Sequence, residues 1–287
     1  MKKMKTAALV AVLGVVGFAL AQEMVTLRRV VKEGDKETYQ ITSNIKQIIS
    51  NDMMGEQEVT ITSSQKMALD YGKTTDGKTD VNVKITDIKM EMGGPMAAMA
   101  GDMASQMPKE LTGTAKLDEF NNMTDYKMGS GMTGMGAQMM QMMSGGTQGM
   151  LTGITFPKDP IAVGGTWDIK VPENKAAGMG AATMKATLVG AEKVGARDAW
   201  KITYSGALPM NMDSKNMQGM ADSPMGQMSF TITGTLDTSG TLLVEKGTGK
   251  LLQMDVKIGG KQKMEMTDMG MTMDMRGDTT MSVKLIN

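Results

Sequence analysis

Two residue types that carry much of enzyme and metal chemistry are missing from this chain, which contains no cysteine and no histidine. Without histidine, the sequence lacks the commonest general base and metal ligand. Without cysteine, it has no thiolate nucleophile, no iron–sulfur cluster, no disulfide and no cysteine to carry a lipid anchor. We therefore predict a protein that is not an enzyme, needs no cofactor, and is stabilised by sheet pairing and apolar burial.

Aromatic residues and net charge are also scarce. Phe, Trp and Tyr make up 3% of the residues, and 31 Lys and Arg residues balance 31 Asp and Glu residues. Proteins that bind nucleic acids usually carry a basic stripe and aromatic side chains for base stacking. The sequence shows neither feature, so we expect no nucleic-acid partner.

The first 21 residues have the pattern of a secretory signal peptide. Lys2, Lys3 and Lys5 precede an apolar run from Ala7 to Leu20, and an A-x-A cleavage motif ends at Ala21. Cleavage after Ala21 would leave 266 residues with a formal net charge of −3. No later run approaches the roughly 20 apolar residues of a membrane span. We predict export, to the periplasm or beyond it.

Most of the mature chain alternates apolar and polar residues with the period of two that is typical of strands. Residues 22–94 predict an antiparallel β meander, with turns around residues 51–55 and at Asp76-Gly77. The alternation changes phase between Ile85 and Ile88, which indicates a β-bulge. A further strand is predicted over Lys109–Phe120.

Residues 151–287 repeat this alternating pattern. We predict turns at Ser239-Gly240 and Gly277-Asp278, a loop over residues 206–226, and a bend between Met266 and Met269. In total, about eleven long strands with one apolar face predict a mainly β protein. Such meanders bury the apolar face by forming a curved half-barrel or a barrel-like sheet. Whether the two halves form one sheet or two domains stays open.

Methionine is abundant, at 37 of 287 residues. In residues 95–150, two short segments space methionine at intervals of three and four, which predicts one or two short Met-rich helices. These helices could form a lid over an apolar cavity, or they could pack on an ordinary core. The candidate lid and cavity residues are Met96, Met99, Met103, Met135, Met139, Met142 and Met143.

A second methionine cluster lies near the carboxyl terminus. Thioether sulfur is a soft ligand that suits Cu(I) and Ag(I). Methionine also replaces Leu or Ile at core positions, and its reversible oxidation could consume oxidants. Soft-metal binding, core packing and consumption of oxidants all remain open for this cluster. Its candidate metal ligands are Met264, Met266, Met271, Met273 and Met275.

Three stretches resemble an uncharacterised family of bacterial exported cell-envelope β proteins. They are the meander from Tyr39 through Met53-Met54-Gly55-Glu56-Gln57 to Met92, the segment from Phe156-Pro157 to Trp167, and Gly240 to Leu252 with the Met-rich strands that follow. Gly165 stands where the family usually has Asp. The resemblance implies an envelope protein and brings no catalytic residues. Periplasmic lipoprotein carriers with half-barrel folds are a weaker analogy.

These observations predict an exported binding protein that holds an apolar, lipid-like ligand in a Met-lined cavity. Two alternatives are soft-metal binding through the Met clusters and a structural role in the cell envelope. Residues 1–21 would be the signal peptide, 22–94 the first β meander, 95–150 the Met-rich lid segment, and 151–287 the second β half.

Overall fold

The computed structural model describes residues 23–51, 55–99, 108–128, 154–174, 178–214 and 229–287. None of the helices in these ranges has the length and apolar character of a membrane-spanning segment. Short 3₁₀ helices lie at Gly94–Met99 and Thr267–Met269. The strands are β1 (Met24–Val25), β2 (Lys36–Asn51), β3 (Gly55–Thr75), β4 (Lys78–Gly93), β5 (Glu110–Asp118), β6 (Met123–Met128), β7 (Ile161–Ala162), β8 (Thr166–Val171), β9 (Ala182–Val194), β10 (Arg197–Asp213), β11 (Phe230–Glu245), β12 (Leu251–Met266) and β13 (Met271–Leu285).

One antiparallel sheet contains eleven of these strands, in the order β6-β5-β4-β3-β2-β13-β12-β11-β10-β9-β8. The two halves of the chain meet where β13 pairs with β2, from Leu285 opposite Tyr39 to Asp274 opposite Ser50. In the described ranges β6 and β8 remain edge strands, so the sheet is not closed. The structure thus confirms the mainly β prediction and is consistent with a curved half-barrel, and it resolves the open question in favour of one sheet.

Alternating burial along β4 defines the two faces of the sheet. Val81, Val83 and Ile85 are buried, whereas Asn82 and Lys84 are exposed. Side chains that alternate along a strand lie on opposite faces, and the strand register extends each face across the sheet. We call the face that carries Val81, Val83 and Ile85 the inner face, and the opposite face the outer face.

A bulge in β4 lies where the sequence pattern predicts it. Ser64 pairs with Lys89 and Lys66 with Thr86, so Asp87 and Ile88 together oppose a single residue of β3. Asp87 has a left-handed φ of 54°. Beyond the bulge, the inner-face positions shift from odd to even numbers, which confirms the predicted phase change.

Two glycines predicted to make turns, Gly240 and Gly277, instead lie inside strands. β11 and β13 continue through residues 239–240 and 277–278, so both predicted turns are wrong. A Cβ on Gly260 would lie 2.4 Å from the Thr235 carbonyl oxygen, and one on Gly277 would lie 2.8 Å from the Lys46 carbonyl oxygen. The missing side chains allow neighbouring backbones to approach closely as the sheet bends.

The loop predicted over residues 206–226 is also wrong in its first part. β10 continues to Asp213 and pairs with β11 along that length. Gly206 and Pro209 mask the strand pattern locally, yet Leu208 and Met212 keep the inner-face alternation and are buried. Tertiary pairing therefore prevails over the local breaker residues.

Replacing Gly260 with alanine should lower the free energy of unfolding by roughly 1–3 kcal/mol, because the new Cβ displaces a backbone carbonyl of β11. Urea denaturation measures the change. Gly72→Ala is the matched control, since its Cβ would make an ordinary 3.4 Å contact with Asp80. That control should be neutral or slightly stabilising. Equal stability changes in the two variants would contradict the close-approach explanation.

Residues 23–35 cover one end of the sheet, which we call the capped end. The Arg29 N–H donates to the Glu119 carbonyl and the Val30 N–H to the Thr248 carbonyl. Leu27 is buried in the core, and β1 pairs with β7. At the opposite end, β2, β4, β10 and β12 finish at residues 51, 93, 213 and 266. We call this the methionine end.

Candidate functional site

Near the capped end, the inner face forms a closed aliphatic and aromatic core. Interiors of this kind pack as densely as organic crystals and leave little room for a ligand. The side chains buried here include Tyr39, Ile41, Met67, Leu69, Val81, Val83, Leu188, Ile202, Leu242, Val244, Met254, Val256 and Val283.

A belt of small and polar residues crosses the inner face beyond this core. The Ser43 and Ser63 hydroxyl oxygens lie 2.8 Å apart in a hydrogen bond. Thr238 is buried, and its hydroxyl has no hydrogen-bond partner among the described residues. Gly260 and Gly277 face each other in the next rows. The belt separates the closed core from the methionine end.

Within the belt and beyond it, the inner face still carries apolar side chains, but they are covered less completely. Val59, Met92, Leu208, Met212, Phe230 and Met275 are buried. Between them lies a group of apolar side chains that are only half-buried, which we call the open apolar surface. Its members are Ile45, Ile49, Ile61, Met210, Ile232, Leu236, Ile258, Met264, Met266, Met271 and Met273.

Four of the five candidate metal-binding methionines belong to this surface, and the fifth, Met275, is buried beside it. Met264 is directly opposite Met273, and Met266 is directly opposite Met271. Met275 follows Met273 on the same face, and its sulfur accepts a 3.5 Å contact from the Gln47 amide nitrogen. The bend predicted after Met266 is a 3₁₀ turn that ends at Gly270, whose φ is 59°.

The candidate lid residues are placed only in part. Met96 and Met99 lie in the 3₁₀ helix Gly94–Met99, whose Pro95 is in the first turn. Their side chains fall outside the part of the chain that the structure describes. Met103, Met135, Met139, Met142 and Met143 also lie outside the described residues. The lid therefore stays a prediction.

The isoleucines that complete the open apolar surface were not among the site residues predicted from the sequence. Ile49 pairs opposite Met275, and Ile232 pairs opposite Met264. Their period-two spacing was visible in the sequence, but strand order was not. Only the pairing of β13 with β2 and β11 with β12 brings these residues beside the methionines.

Two cavities belong to the outer face. The larger, of about 890 Å³, is bordered by exposed polar side chains that include Thr42, Ser205, Asp255 and Lys257. Val256 also borders it but is 1% exposed, so it contributes backbone only. The smaller, of about 690 Å³, is likewise bordered by Lys, Asp, Asn and Thr. These are solvated grooves between rows of outer-face side chains.

A buried ionic cluster at the capped end was also missed. Glu37 is 1% exposed and accepts hydrogen bonds from Arg29, from the Tyr39 hydroxyl at 2.7 Å and from the Tyr71 hydroxyl at 2.7 Å. Arg29 also donates to the Tyr71 oxygen at 2.8 Å. The Lys250 ammonium lies 3.7 Å from Glu37. The cluster joins residues 23–35, which we call the capping segment, to β2 and β3.

Burial is the main cause of altered tyrosine acidity in this core. It raises the pKa of Tyr39 and of Tyr71 well above the ordinary value, and the Glu37 carboxylate raises both further. Burial alone raises the pKa of Tyr204 to about 12. These tyrosines therefore stay protonated at physiological pH, and we assign them a structural role.

The described residues contain no group of three or more His, Cys, Asp or Glu side chains arranged to hold a metal ion. In these ranges the candidate metal ligands are therefore the methionine sulfurs of the open apolar surface. A neutral thioether set is suited to a soft monovalent ion.

No family model and no curated protein matches this chain. Among solved structures, it has a TM-score of 0.26 to OmpF of Salmonella typhi in complex with daunomycin, at 7% identity over 88% of this chain and 99% of that one. It has a TM-score of 0.19 to DynF from the dynemicin biosynthesis pathway of Micromonospora chersina, at 8% identity over 90% and 85% of the two chains. Scores this low support no argument about fold or function.

Proposed function

We propose that this protein is an exported, non-enzymatic binding protein that holds an apolar, lipid-like ligand on the open apolar surface. The observation that carries the proposal is the contrast within one face. Near the capped end, inner-face side chains are buried, whereas at the methionine end the same face leaves a contiguous set half-exposed. A contiguous apolar surface that remains partly open to solvent is typical of binding sites.

The open apolar surface suits an elongated ligand. From Ile258 to Met266, β12 presents an apolar or amide side chain at each inner-face position except Gly260. At about 3.3 Å per residue, this row is about 26 Å long. Fully burying one Met or Ile side chain contributes about 1.5–3 kcal/mol. An acyl chain that partly covers several of these Met and Ile side chains therefore gains a favourable binding free energy.

Methionine content favours a ligand of variable shape. An unbranched thioether side chain with three rotatable bonds adapts to irregular apolar partners. The Ser43 and Ser63 hydroxyls of the polar belt lie at the inner limit of the surface, where they could bind the polar group of an amphiphile. The signal-peptide pattern of residues 1–21 supports export, where free lipids and envelope components occur.

Binding of a fluorescent polyene fatty acid tests this function. Met273→Lys places a charge on the open apolar surface and should weaken binding by at least about tenfold, because burying a charge against the ligand costs more than 1.4 kcal/mol. Fluorescence titration of the purified protein measures the affinity.

The matched control is Thr272→Lys, which adds the same charge at the adjacent, exposed outer-face position. It should bind the fatty acid as the unaltered protein does. Equal weakening in both variants, or no saturable binding by the unaltered protein, would contradict the proposed site.

A further inference from the structure

We propose that Met264, Met266, Met271 and Met273 form a thioether site for Cu(I) or Ag(I). The site lies on the open apolar surface, but its existence does not depend on lipid binding. It rests on how the turn between β12 and β13 arranges the four sulfurs, and on the chemistry of the side chains around them.

The turn sets the register that pairs these methionines. β12 ends at Met266, a 3₁₀ turn follows over Thr267–Met269, and β13 begins at Met271 after the left-handed Gly270. The Asp268 carboxylate accepts a 2.7 Å hydrogen bond from the Ser229 N–H, which ties the turn to the start of β11. A one-residue slip would move one set of methionines to the outer face.

The register places the four side chains as two stacked pairs. Met266 faces Met271, and two residues further along each strand Met264 faces Met273. Directly opposed residues have Cβ atoms about 4.5–5.5 Å apart, and diagonal neighbours about 7–8 Å apart. Each methionine sulfur lies two bonds beyond its Cβ on a flexible chain. The two sulfurs of a pair can therefore bind one ion, and a sulfur of the neighbouring pair can act as its third ligand.

Charge around the site favours a soft monovalent ion. Lys263, Glu265 and Asp274 flank the methionines in sequence, but they alternate with them and are exposed on the outer face. Lys263 and Glu265 also pair with each other at 2.7 Å. The inner face thus offers neutral sulfur without a neighbouring carboxylate on these stretches of strand. Hard divalent ions need oxygen ligands, whereas Cu(I) and Ag(I) bind thioethers.

Partial burial makes the site accessible and still sheltered. All four methionines are half-buried, so each residue keeps some contact with solvent in the folded protein. Met275, the fifth candidate, is 6% exposed, and its sulfur already contacts the Gln47 amide nitrogen. We therefore assign Met275 to packing beside the site, and the four paired methionines to the ion.

Anaerobic competition against a chromophoric Cu(I) chelator tests the site in the purified protein. We expect Cu(I) binding that Zn²⁺ does not displace. Met264→Leu/Met273→Leu and Met266→Leu/Met271→Leu should each weaken it by at least about tenfold, since losing even an indirect partner of a metal ligand costs about 10–100-fold. Leucine keeps the apolar volume, so folding should be retained.

Met254→Leu/Met281→Leu is the matched control, because both residues are inner-face methionines of β12 and β13 that lie outside the site. Its Cu(I) affinity should be unchanged. As a second measurement, Ag(I) added to protein with ¹³C-labelled methionine methyl groups should shift the four site resonances and leave those of Met254 and Met281 in place. No Cu(I) uptake, or equal loss in the control, would overturn the proposal. Fatty-acid binding would be unaffected by that outcome.

Discussion

Replacing Arg29 with methionine should lower the free energy of unfolding by about 3–5 kcal/mol, since it leaves the buried Glu37 carboxylate without its closest cation. Both side chains of the pair are almost fully buried, at 3% and 1% exposure. The Tyr39 and Tyr71 hydroxyls would still donate to the carboxylate, but they bring no positive charge. The remaining cation, the Lys250 ammonium, lies 3.7 Å away and is partly exposed to solvent, so it compensates less than Arg29 does. Denaturation by urea at neutral pH measures the loss.

Two further variants separate the buried pair from ordinary surface charge. Arg29→Met/Glu37→Leu removes both charges and should be more stable than Arg29→Met alone, because an apolar replacement of both partners avoids an unpaired buried charge. Lys46→Met breaks the exposed 2.9 Å pair with Glu58 and should cost less than about 1 kcal/mol. A small, similar loss in Arg29→Met and Lys46→Met would show that the cluster does not secure the capping segment.

Alkaline pH should destabilise the protein through its buried tyrosines. Because the folded pKa of Tyr39, Tyr71 and Tyr204 is raised, their contribution is complete below the unfolded pKa of about 10 and is lost as pH rises towards the folded values. At pH 11, one pKa unit above the unfolded value, Tyr204 should lower the free energy of unfolding by about 1.4 kcal/mol, and Tyr39 and Tyr71 should add to this loss in the same direction.

Tyr204→Phe isolates one tyrosine from this alkaline effect. At pH 8 the substitution should change the free energy of unfolding little, because the Tyr204 hydroxyl is not part of the hydrogen-bonded cluster around Glu37. Between pH 8 and pH 11, the variant should lose about 1.4 kcal/mol less than the unaltered protein. The same pH dependence in both proteins would show that Tyr204 ionises equally in the folded and unfolded chains.

Local patterns predicted the local features of this fold well. The period of two identified the strands of both halves, and the phase change after Ile85 located the bulge at Asp87. The methionines at 264–266 and 271–275 could be expected near each other because only one short turn separates them. Each of these predictions depends on residues close in sequence, where side-chain alternation is a direct signal.

Features that depend on distant residues were not predictable in the same way. Nothing in the alternation of β13 indicates that it pairs with β2, more than 200 residues earlier. Glycine has the same local signature in a turn and in a bending strand, and only the close backbone contacts of Gly260 and Gly277 distinguish the two. Arg29 continues the buried alternation of Val25 and Leu27, but a cation is rarely buried without a partner, and nothing local identifies Glu37 as that partner.

The function proposed here depends on the open apolar surface being covered by a ligand in the cell. The methionine pairs give the same surface a second potential occupant, a soft metal ion. The two occupants differ in mass, in extraction behaviour and in the residues they need, since a lipid should contact Ile49 and Ile232 as well as the methionines. A structural envelope protein would have neither occupant.

Native mass spectrometry of the protein, purified gently from the cells that produce it, tests the central claim most directly. We predict an excess mass over the polypeptide that disappears on extraction with organic solvent, which identifies a bound lipid-like molecule. An excess of one or a few copper masses that a soft chelator removes would instead support the thioether site alone. A mass equal to that of the polypeptide, in protein that retains its fold, would contradict the lipid-binding function.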